Sequence, residues 1–392
     1  MEKIRVLFPY VEAGYGHIMP MRAMEQSFRE KYGERAEIVS CRFFRDGGMA
    51  PLQAYERMLA GQVRLYNRFP LMGFLASGAC QLLGTALSSL FAIRLVMPRA
   101  YRAGVDRMKE LAPDVVFSTH WATNYYAEQL KPKPLTVTYC PDIRMNRLFD
   151  YPCDLKMITT DCGCREALRR KRNTPENLIR VPILLRKEAL SVTADRKQLR
   201  RELGLPEDNF TVLLAEGGYG IGRMAAITRR LIRERRPLTV IPVCGTNEAL
   251  YRSLCRLRPA AGVTLRPYRF TERMPELEAA ADVFCGKGGT TVYEAAFFGT
   301  PALITGCTSL IERDVANHFI GTVGSALRAF SPKQAASLVL EFAADPSRLE
   351  PYRRAARRFR GHFGADPAAD ALWERIGRAY PECAGPAAGQ RE

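Results

Sequence analysis

The stretch Val283-Phe284-Cys285-Gly286-Lys287-Gly288-Gly289-Thr290-Thr291-Val292-Tyr293-Glu294-Ala295-Ala296 decides the fold. A short apolar run passes through a glycine turn into a segment of helix-forming composition, so it reads as strand, turn and helix. Such a junction leaves backbone N–H groups at the helix start and makes a ready site for a diphosphate at Gly288, Gly289, Thr290 and Thr291. Glu294, about one turn into the helix, is placed to accept hydrogen bonds from a ribose diol. The loop lacks the Gly-x-x-x-x-Gly-Lys-Ser/Thr spacing of a P-loop, and the acidic ribose recognition of dinucleotide folds, at the end of a neighbouring strand, is not evident. An NTPase or a dehydrogenase is therefore disfavoured.

The same alternation recurs outward in both directions. Short runs rich in Val, Ile, Leu and Phe occupy residues 4–8, 38–40, 115–118 and 136–139, then 212–215, 240–243, 263–265, 283–284 and 302–305, with helical stretches between them. Strands buried on both faces and alternating with helices make parallel, doubly wound sheets, and the pattern appears twice. A chain of 392 residues is too long for one ordinary core. The expectation is an α/β protein of two Rossmann-like domains. The charged run from Arg186 to Glu202 and the stop Leu203-Gly204-Leu205-Pro206 mark the break. Residues 1–188 form the first domain and 189–346 the second. Basic helices over 347–380 have no strand after them and are free to cross back onto the first domain, and 381–392 read as a disordered tail.

Other glycine turns fall at strand ends, where open parallel sheets bind ligands. Glu216-Gly217-Gly218-Tyr219-Gly220-Ile221-Gly222 opens the second half, and Gly218 and Gly220 would face a ligand crevice; a purely structural turn is the alternative. The first strand ends in Glu12-Ala13-Gly14-Tyr15-Gly16-His17, ahead of a helix expected near Pro20. A neutral imidazole there can take a proton from an attacking hydroxyl, although the glycines alone would equally suit a tight turn with His17 as a cap. Glu312 and Asn317 offer a carboxylate and an amide five residues apart, suited to sugar hydroxyls or to an ordinary helix start.

The net charge of +17 attracts either nucleic acid or an anionic membrane face. Eleven cysteines lack paired metal-ligand spacing and read as reduced thiols, and the N-terminus has no signal-peptide pattern, which points to a cytoplasmic protein. Residues 69–93 carry no charge and are long enough to span a bilayer. Ser77, Gln81, Thr85, Ser88 and Ser89 fall on one helical face and Leu75, Ala79, Leu82, Leu83, Ala86, Leu87 and Leu90 on the other, flanked by Arg64, Arg68, Arg94 and Arg99. That pattern reads as a helix lying in a membrane interface, with a buried core helix and a spanning helix as alternatives.

In order along the chain, Gly14-Tyr15-Gly16-His17, Pro113-Asp114-Val115-Val116-Phe117-Ser118-Thr119-His120, Thr136-Val137-Thr138, Leu203-Gly204-Leu205, the glycine turn at 217–222, Val243-Cys244-Gly245-Thr246-Asn247, Phe270-Thr271-Glu272-Arg273-Met274-Pro275-Glu276-Leu277, Ala280-Ala281-Asp282, the loop at 288–294, and Glu312 with Asn317 resemble the family of diacylglycerol glycosyltransferases and galactolipid synthases. More distantly they resemble the peptidoglycan glycosyltransferase that makes lipid II. The resemblance covers almost the whole chain. It implies a GT-B fold, two Rossmann-like domains facing a central cleft, with a UDP-sugar such as UDP-glucose or UDP-galactose held in the C-terminal domain and a diacylglycerol-type lipid approached from the N-terminal one. It would set uracil against the main chain near Phe270, ribose on Glu294, diphosphate on Gly288 to Thr291, and sugar hydroxyls near Glu312 and Asn317. His17 would be the base, with Glu12 and Asp142 the other candidates. The implied reaction is a direct, inverting transfer by a protein peripherally bound to the inner face of the cell membrane, with no cofactor. No Asp-x-Asp pair is present, so no metal is expected.

The sequence departs from the family pattern in three places. Gly286-Lys287 stands where Lys-Pro is usual, Ile311 replaces a glutamine before Glu312, and Tyr139 replaces an aspartate, with Asp142 three residues later. A polyprenyl-linked or other lipid acceptor fits the same donor site. From other classes, a basic nucleic-acid-binding protein is opposed by the missing recognition motifs, so no nucleic acid is expected, and an inactive UDP-sugar sensor is the remaining alternative.

Overall fold

The computed structural model describes residues 3–11, 15–83 and 94–384. Contacts divide the chain into two compact units, one of residues Met1–Val63, Ala76–Lys187 and Phe363–Glu392, the other of Arg64–Leu75 and Glu188–His362.

The first unit holds six parallel strands, β1 (Ile4–Tyr10), β2 (Ala36–Arg42), β3 (Val115–Ser118), β4 (Leu135–Cys140), β5 (Leu155–Ile158) and β6 (Leu178–Arg180), in the order β2-β1-β3-β4-β5-β6. Alternate side chains of a strand point to opposite faces, and here both faces are covered. Ile4, Val6 and Phe8 pack with Phe28 of helix Tyr15–Tyr32 and with Leu372, Trp373 and Ile376 of helix Asp366–Ala379. Leu7 and Val116 pack on the other side with Leu52, Tyr55, Met108 and Tyr126. Double coverage is why these strands read as unbroken apolar runs. Helix Asp366–Ala379 is fixed by the stacked rings of Tyr32 and Trp373, 4.7 Å apart, and by the Tyr32 hydroxyl donating to Asp370 at 2.6 Å.

The second unit repeats the arrangement with β7 (Phe210–Ala215), β8 (Leu238–Val243), β9 (Val263–Leu265), β10 (Val283–Lys287), β11 (Ala302–Gly306) and β12 (Ala326–Arg328), ordered β12-β11-β10-β7-β8-β9, all parallel. Helix Glu350–Phe359 belongs to this unit, and the chain enters the first unit at Phe363. Some of the basic excess is structural. Asp282 receives Arg200 at 2.6 Å, Arg353 at 3.1 Å, Arg196 at 3.5 Å and the Thr211 N–H at 2.8 Å, a buried carboxylate paired from three sides.

Three strands escape the sequence reading. β5 is interrupted by Lys156, which is 2% exposed and donates to Asn173, while β6 and β12 are three residues long and each ends in arginine. The first helix begins at Tyr15, ahead of the expected start at Pro20, so His17 lies in its first turn and Pro20 inside it.

Candidate functional site

In each sheet the strand order reverses at one place, between β1 and β3 in the first unit and between β7 and β10 in the second. The crevice outside the carboxyl ends of such strands is where open α/β sheets take ligands. His17 and the two glycine turns of the second unit follow strands at these points.

In the second unit the loops that follow β7 and β10 are the two glycine turns. The first is built into its neighbours. The Gly218 carbonyl accepts from the Thr246 N–H (2.8 Å) and hydroxyl (3.1 Å), and the Gly220 carbonyl accepts from Asn247 at 3.3 Å. Gly220 has φ +55°, and a Cβ there would stand 2.2 Å from the Cys244 carbonyl oxygen, so only glycine fits. Glu216, 3% exposed at the end of β7, accepts from the Met224 N–H at 2.8 Å and fixes the turn to the following helix.

The second turn approaches helix Leu310–Asn317 closely, since a Cβ on Gly288 would lie 2.3 Å from the Glu312 carbonyl oxygen. Two of its N–H groups are already engaged. Gly288 N–H donates to Gly306 O at 3.1 Å and Gly289 N–H to Lys287 O at 2.8 Å, whereas those of Thr290 and Thr291 make no such bond among the described residues. Nothing lies within 4 Å of a side-chain position built on Gly289, which faces open space. Glu294 is partly exposed in helix Thr291–Phe297. The Lys287 ammonium stands between the two turns, 3.9 Å from a Cβ position on Gly217 and 4.0 Å from Glu312 Oε1.

Glu312 performs the helix-start role that was the alternative at sequence level. Ser309 Oγ accepts from the Glu312 N–H at 3.2 Å, and Glu312 Oε2 accepts from the Thr308 N–H (2.5 Å) and hydroxyl (2.9 Å), a variant of the capping box. Asn317 is not brought to Glu312. Five residues of helix turn it about 140° away, and its side-chain oxygen accepts from Arg328 at 3.2 Å. Phe270, 43% exposed, follows a segment paired to β8, where Cys244 N–H donates to Tyr268 O at 2.8 Å. It lies beyond β8 and β9 at the carboxyl side of the sheet.

In the first unit, His17 follows β1 and Thr119 and His120 follow β3. His17 Nδ1 is 2.8 Å from the Thr119 carbonyl oxygen, and the Thr119 hydroxyl donates to His17 O at 2.7 Å. A carbonyl only accepts, so Nδ1 carries the proton and the Nε2 lone pair is left to take one. Nε2 makes no hydrogen bond among the described residues. Burial lowers the pKa of His17 below its ordinary value, against an opposing pull from the Thr119 bond, so the ring is neutral at pH 7. His120, 3% exposed, accepts the Ala122 N–H on Nδ1 at 3.2 Å and caps helix Trp121–Ala127. Its proton therefore sits on Nε2. Burial first, and the neighbouring His17 second, hold it well below the usual histidine range. The rings meet edge to face, centroids 5.1 Å apart. His120 is not among the candidates read from the sequence; its position just after the buried strand β3 was the available signal.

Asp142 follows β4, two strand positions from β1, or about 10 Å at ordinary spacing. Glu12 and Gly14 lie outside the described residues. Among the described residues no group of three or more His, Cys, Asp or Glu side chains could hold a metal ion.

Helix Pro70–Leu83 carries the described part of the uncharged segment. Leu71, Leu75, Ala79 and Leu82 fall within about 80° of one another around its axis; the three leucines are 72%, 66% and 77% exposed and Ala79 is exposed too. Gly73 is buried, and Ser77 and Gln81 are half-buried on the other side. The apolar stripe thus points outward and the polar face inward, the reverse of a core helix. No helix of the described residues is long and apolar enough to cross a membrane. Residues 84–93 lie outside them.

No family model matches the chain. In sequence it is 27% identical over 323 residues to a probable monogalactosyldiacylglycerol synthase 2 of Oryza sativa subsp. japonica, covering 76% of this chain and 65% of that protein. It is 28% identical over 121 residues to a processive diacylglycerol beta-glucosyltransferase of Bacillus subtilis, 30% of this chain and 31% of the other. The matched stretch therefore spans just under two-thirds of the rice protein. Among solved structures, MurG of Acinetobacter baumannii superposes with a TM-score of 0.55 at 12% identity, over 95% of this chain and 100% of that one. Anabaena Alr3699/HepE in complex with UDP-glucose gives 0.56 at 14%, over 96% and 99%. A putative UDP-N-acetylglucosamine 2-epimerase of Listeria monocytogenes gives 0.60 at 13%, over 97% and 98%. The chain has the α/β GT-B fold, and in sequence it resembles galactolipid and glucolipid synthases at modest identity.

Proposed function

We propose that this protein is an inverting glycosyltransferase that moves a hexose from UDP-glucose or UDP-galactose to diacylglycerol, or to a glycosyl-diacylglycerol, at the cytoplasmic surface of a membrane. The observation that carries the donor half is the arrangement at the β7/β10 switch point, where both loops are glycine turns, the Gly289 position is open, and a lysine ammonium stands between them. The sequence relatives carry the lipid half, since those named are diacylglycerol glycosyltransferases.

In this reading the loop at Gly289 to Thr291 and Lys287 bind the diphosphate, Glu294 takes the ribose diol, and the main chain by Phe270 takes the uracil. The lipid hydroxyl gives its proton to His17 Nε2 while its oxygen bonds the anomeric carbon. The bond from that carbon to the UDP oxygen breaks on the opposite face, inverting the configuration, and UDP leaves with the electron pair. Positive charge at Lys287 stabilises the departing diphosphate. The sequence has no Asp-x-Asp pair, and transfer is proposed to need no divalent ion. The outward leucine stripe of helix Pro70–Leu83, with exposed Arg64, Arg68, Arg94 and Arg99 beside it in sequence, suits the interface of an anionic bilayer.

A second reading follows from the epimerase among the fold neighbours, namely isomerisation of a UDP-sugar without an acceptor. Purified protein incubated with a panel of UDP-sugars and diacylglycerol in anionic vesicles, followed by UDP assay and mass analysis of the lipid, decides between them. UDP release with a hexosylated lipid supports transfer to diacylglycerol. An altered UDP-sugar with no UDP released supports isomerisation, and UDP-sugar binding with neither product supports another lipid acceptor.

A further inference from the structure

The segment Arg64–Leu75 sorts with the second unit although it precedes the rest of that unit by more than a hundred residues. Contacts at three places along the carboxyl end of the sheet tie it there. The Arg64 guanidinium lies over the Tyr219 ring, 5.2 Å from its centroid, on the loop after β7. The Asn67 side-chain oxygen accepts from the Lys287 ammonium at the end of β10. Gly73 packs against the loop after β11 so tightly that a Cβ on it would stand 2.1 Å from the Thr308 carbonyl oxygen.

Lys287 is only 10% exposed in its side chain, and Glu312 Oε1 stands 4.0 Å from its ammonium. An ammonium has three donors on a flexible stem, and a lysine left to itself at a loop would sample many rotamers. Here one donor is bonded to the Asn67 amide oxygen, a carboxylate at 4.0 Å draws the charge the same way, and donors are left for an incoming acceptor. We infer that Asn67 is a positioning residue for Lys287, so that the diphosphate site between the two glycine turns is completed by the Arg64–Leu75 segment. The inference rests on the donor reading above. It also ties nucleotide binding to the apolar helix, because the segment runs directly into Pro70–Leu83. Any coupling between the two is reciprocal, so a nucleotide that uses Lys287 orders this segment.

UDP titration of the full chain tests it, comparing the parent with Asn67→Ala, Lys287→Ala, the double variant and Gly73→Ala. Lys287→Ala is expected to weaken UDP binding at least about tenfold and Asn67→Ala several-fold. The double variant is expected to bind no worse than Lys287→Ala alone, the signature of one residue acting through the other. Gly73→Ala, which forces the segment off Thr308, should reproduce the Asn67→Ala loss. In the parent, UDP should slow amide exchange across residues 64–75, and in Lys287→Ala it should not. A parent that binds UDP while Asn67→Ala and Gly73→Ala bind it equally well overturns this inference and leaves the donor reading standing, as do additive losses in the double variant. A parent that binds no UDP or UDP-sugar removes the donor reading itself. Should Asn67→Ala fail to fold, the Gly73→Ala titration and the exchange measurement on the parent decide alone.

Discussion

Replacing either of two adjacent glycines by alanine separates packing from ligand binding in the loop after β10. At Gly288 the new Cβ would stand 2.3 Å from the Glu312 carbonyl oxygen and 3.1 Å from Ala316 Cβ, roughly 1 Å short of ordinary van der Waals separation from the oxygen. The obstacle is helix backbone, which cannot swing aside like a side chain. Overpacking of that kind costs about 1–3 kcal/mol, a fall in melting temperature of about 2–4 °C per kcal/mol for a unit of this size. A displacement of about 1 Å in the loop should also reduce transfer by about 100-fold. At Gly289 nothing lies within 4 Å, and its φ is not in the left-handed region. Gly289→Ala should therefore leave stability within about 0.5 kcal/mol while obstructing a bound diphosphate and weakening UDP affinity by about tenfold or more. Thermal melts and UDP titration calorimetry on both variants check this. If Gly289→Ala binds UDP as tightly as the parent, the open face of the loop is not where the diphosphate sits, and the reasoning fails.

His17→Ala should lower transfer by about 10²- to 10⁴-fold with UDP affinity unchanged, and the acid limb of kcat/KM in the parent should be centred below 6.5, since burial lowers this histidine; a limb above 6.5 would argue against His17 as base. The fold should weaken in acid for a related reason. His17 and His120 both have depressed pKa values, so the unfolded chain takes up protons first. Their stabilisation is whole above about pH 6.5 and is lost as pH falls below it, with a slope of up to about 1.4 kcal/mol per pH unit for each. Urea titrations from pH 7.5 to 5 should show the slope, reduced in His120→Asn, which keeps a helix-capping side chain. Glu294→Ala should weaken UDP binding, and equal UDP affinity by calorimetry would remove the ribose assignment. Leu75→Ser with Leu82→Ser should cut sedimentation with anionic vesicles by about tenfold or more, given about 1.5–3 kcal/mol for burying each leucine, without lowering the melting temperature; unchanged sedimentation would mean the stripe does not meet lipid.

The sequence by itself determined the two parallel sheets, because most strands covered on both faces read as apolar runs and glycine turns follow β1, β7 and β10. Val6, Leu7 and Phe8, and Val212 to Leu214, are all buried. It also determined that His17 and the loops at 217–222 and 286–291 stand at strand ends. It could not show β5, where a charged lysine is buried against Asn173, since that pairing comes from residues distant in the chain. Nor could it separate the roles of look-alike residues. Glu312 is engaged by its own helix cap and Asn317 by Arg328, while the unassigned His120 meets His17 edge to face. Above all, the contacts of Arg64, Asn67 and Gly73 that tie Arg64–Leu75 to the second unit join residues far apart in the chain. Periodicity reports which face of an element is apolar; which loop a given amide or glycine touches is fixed only when separate elements are packed together.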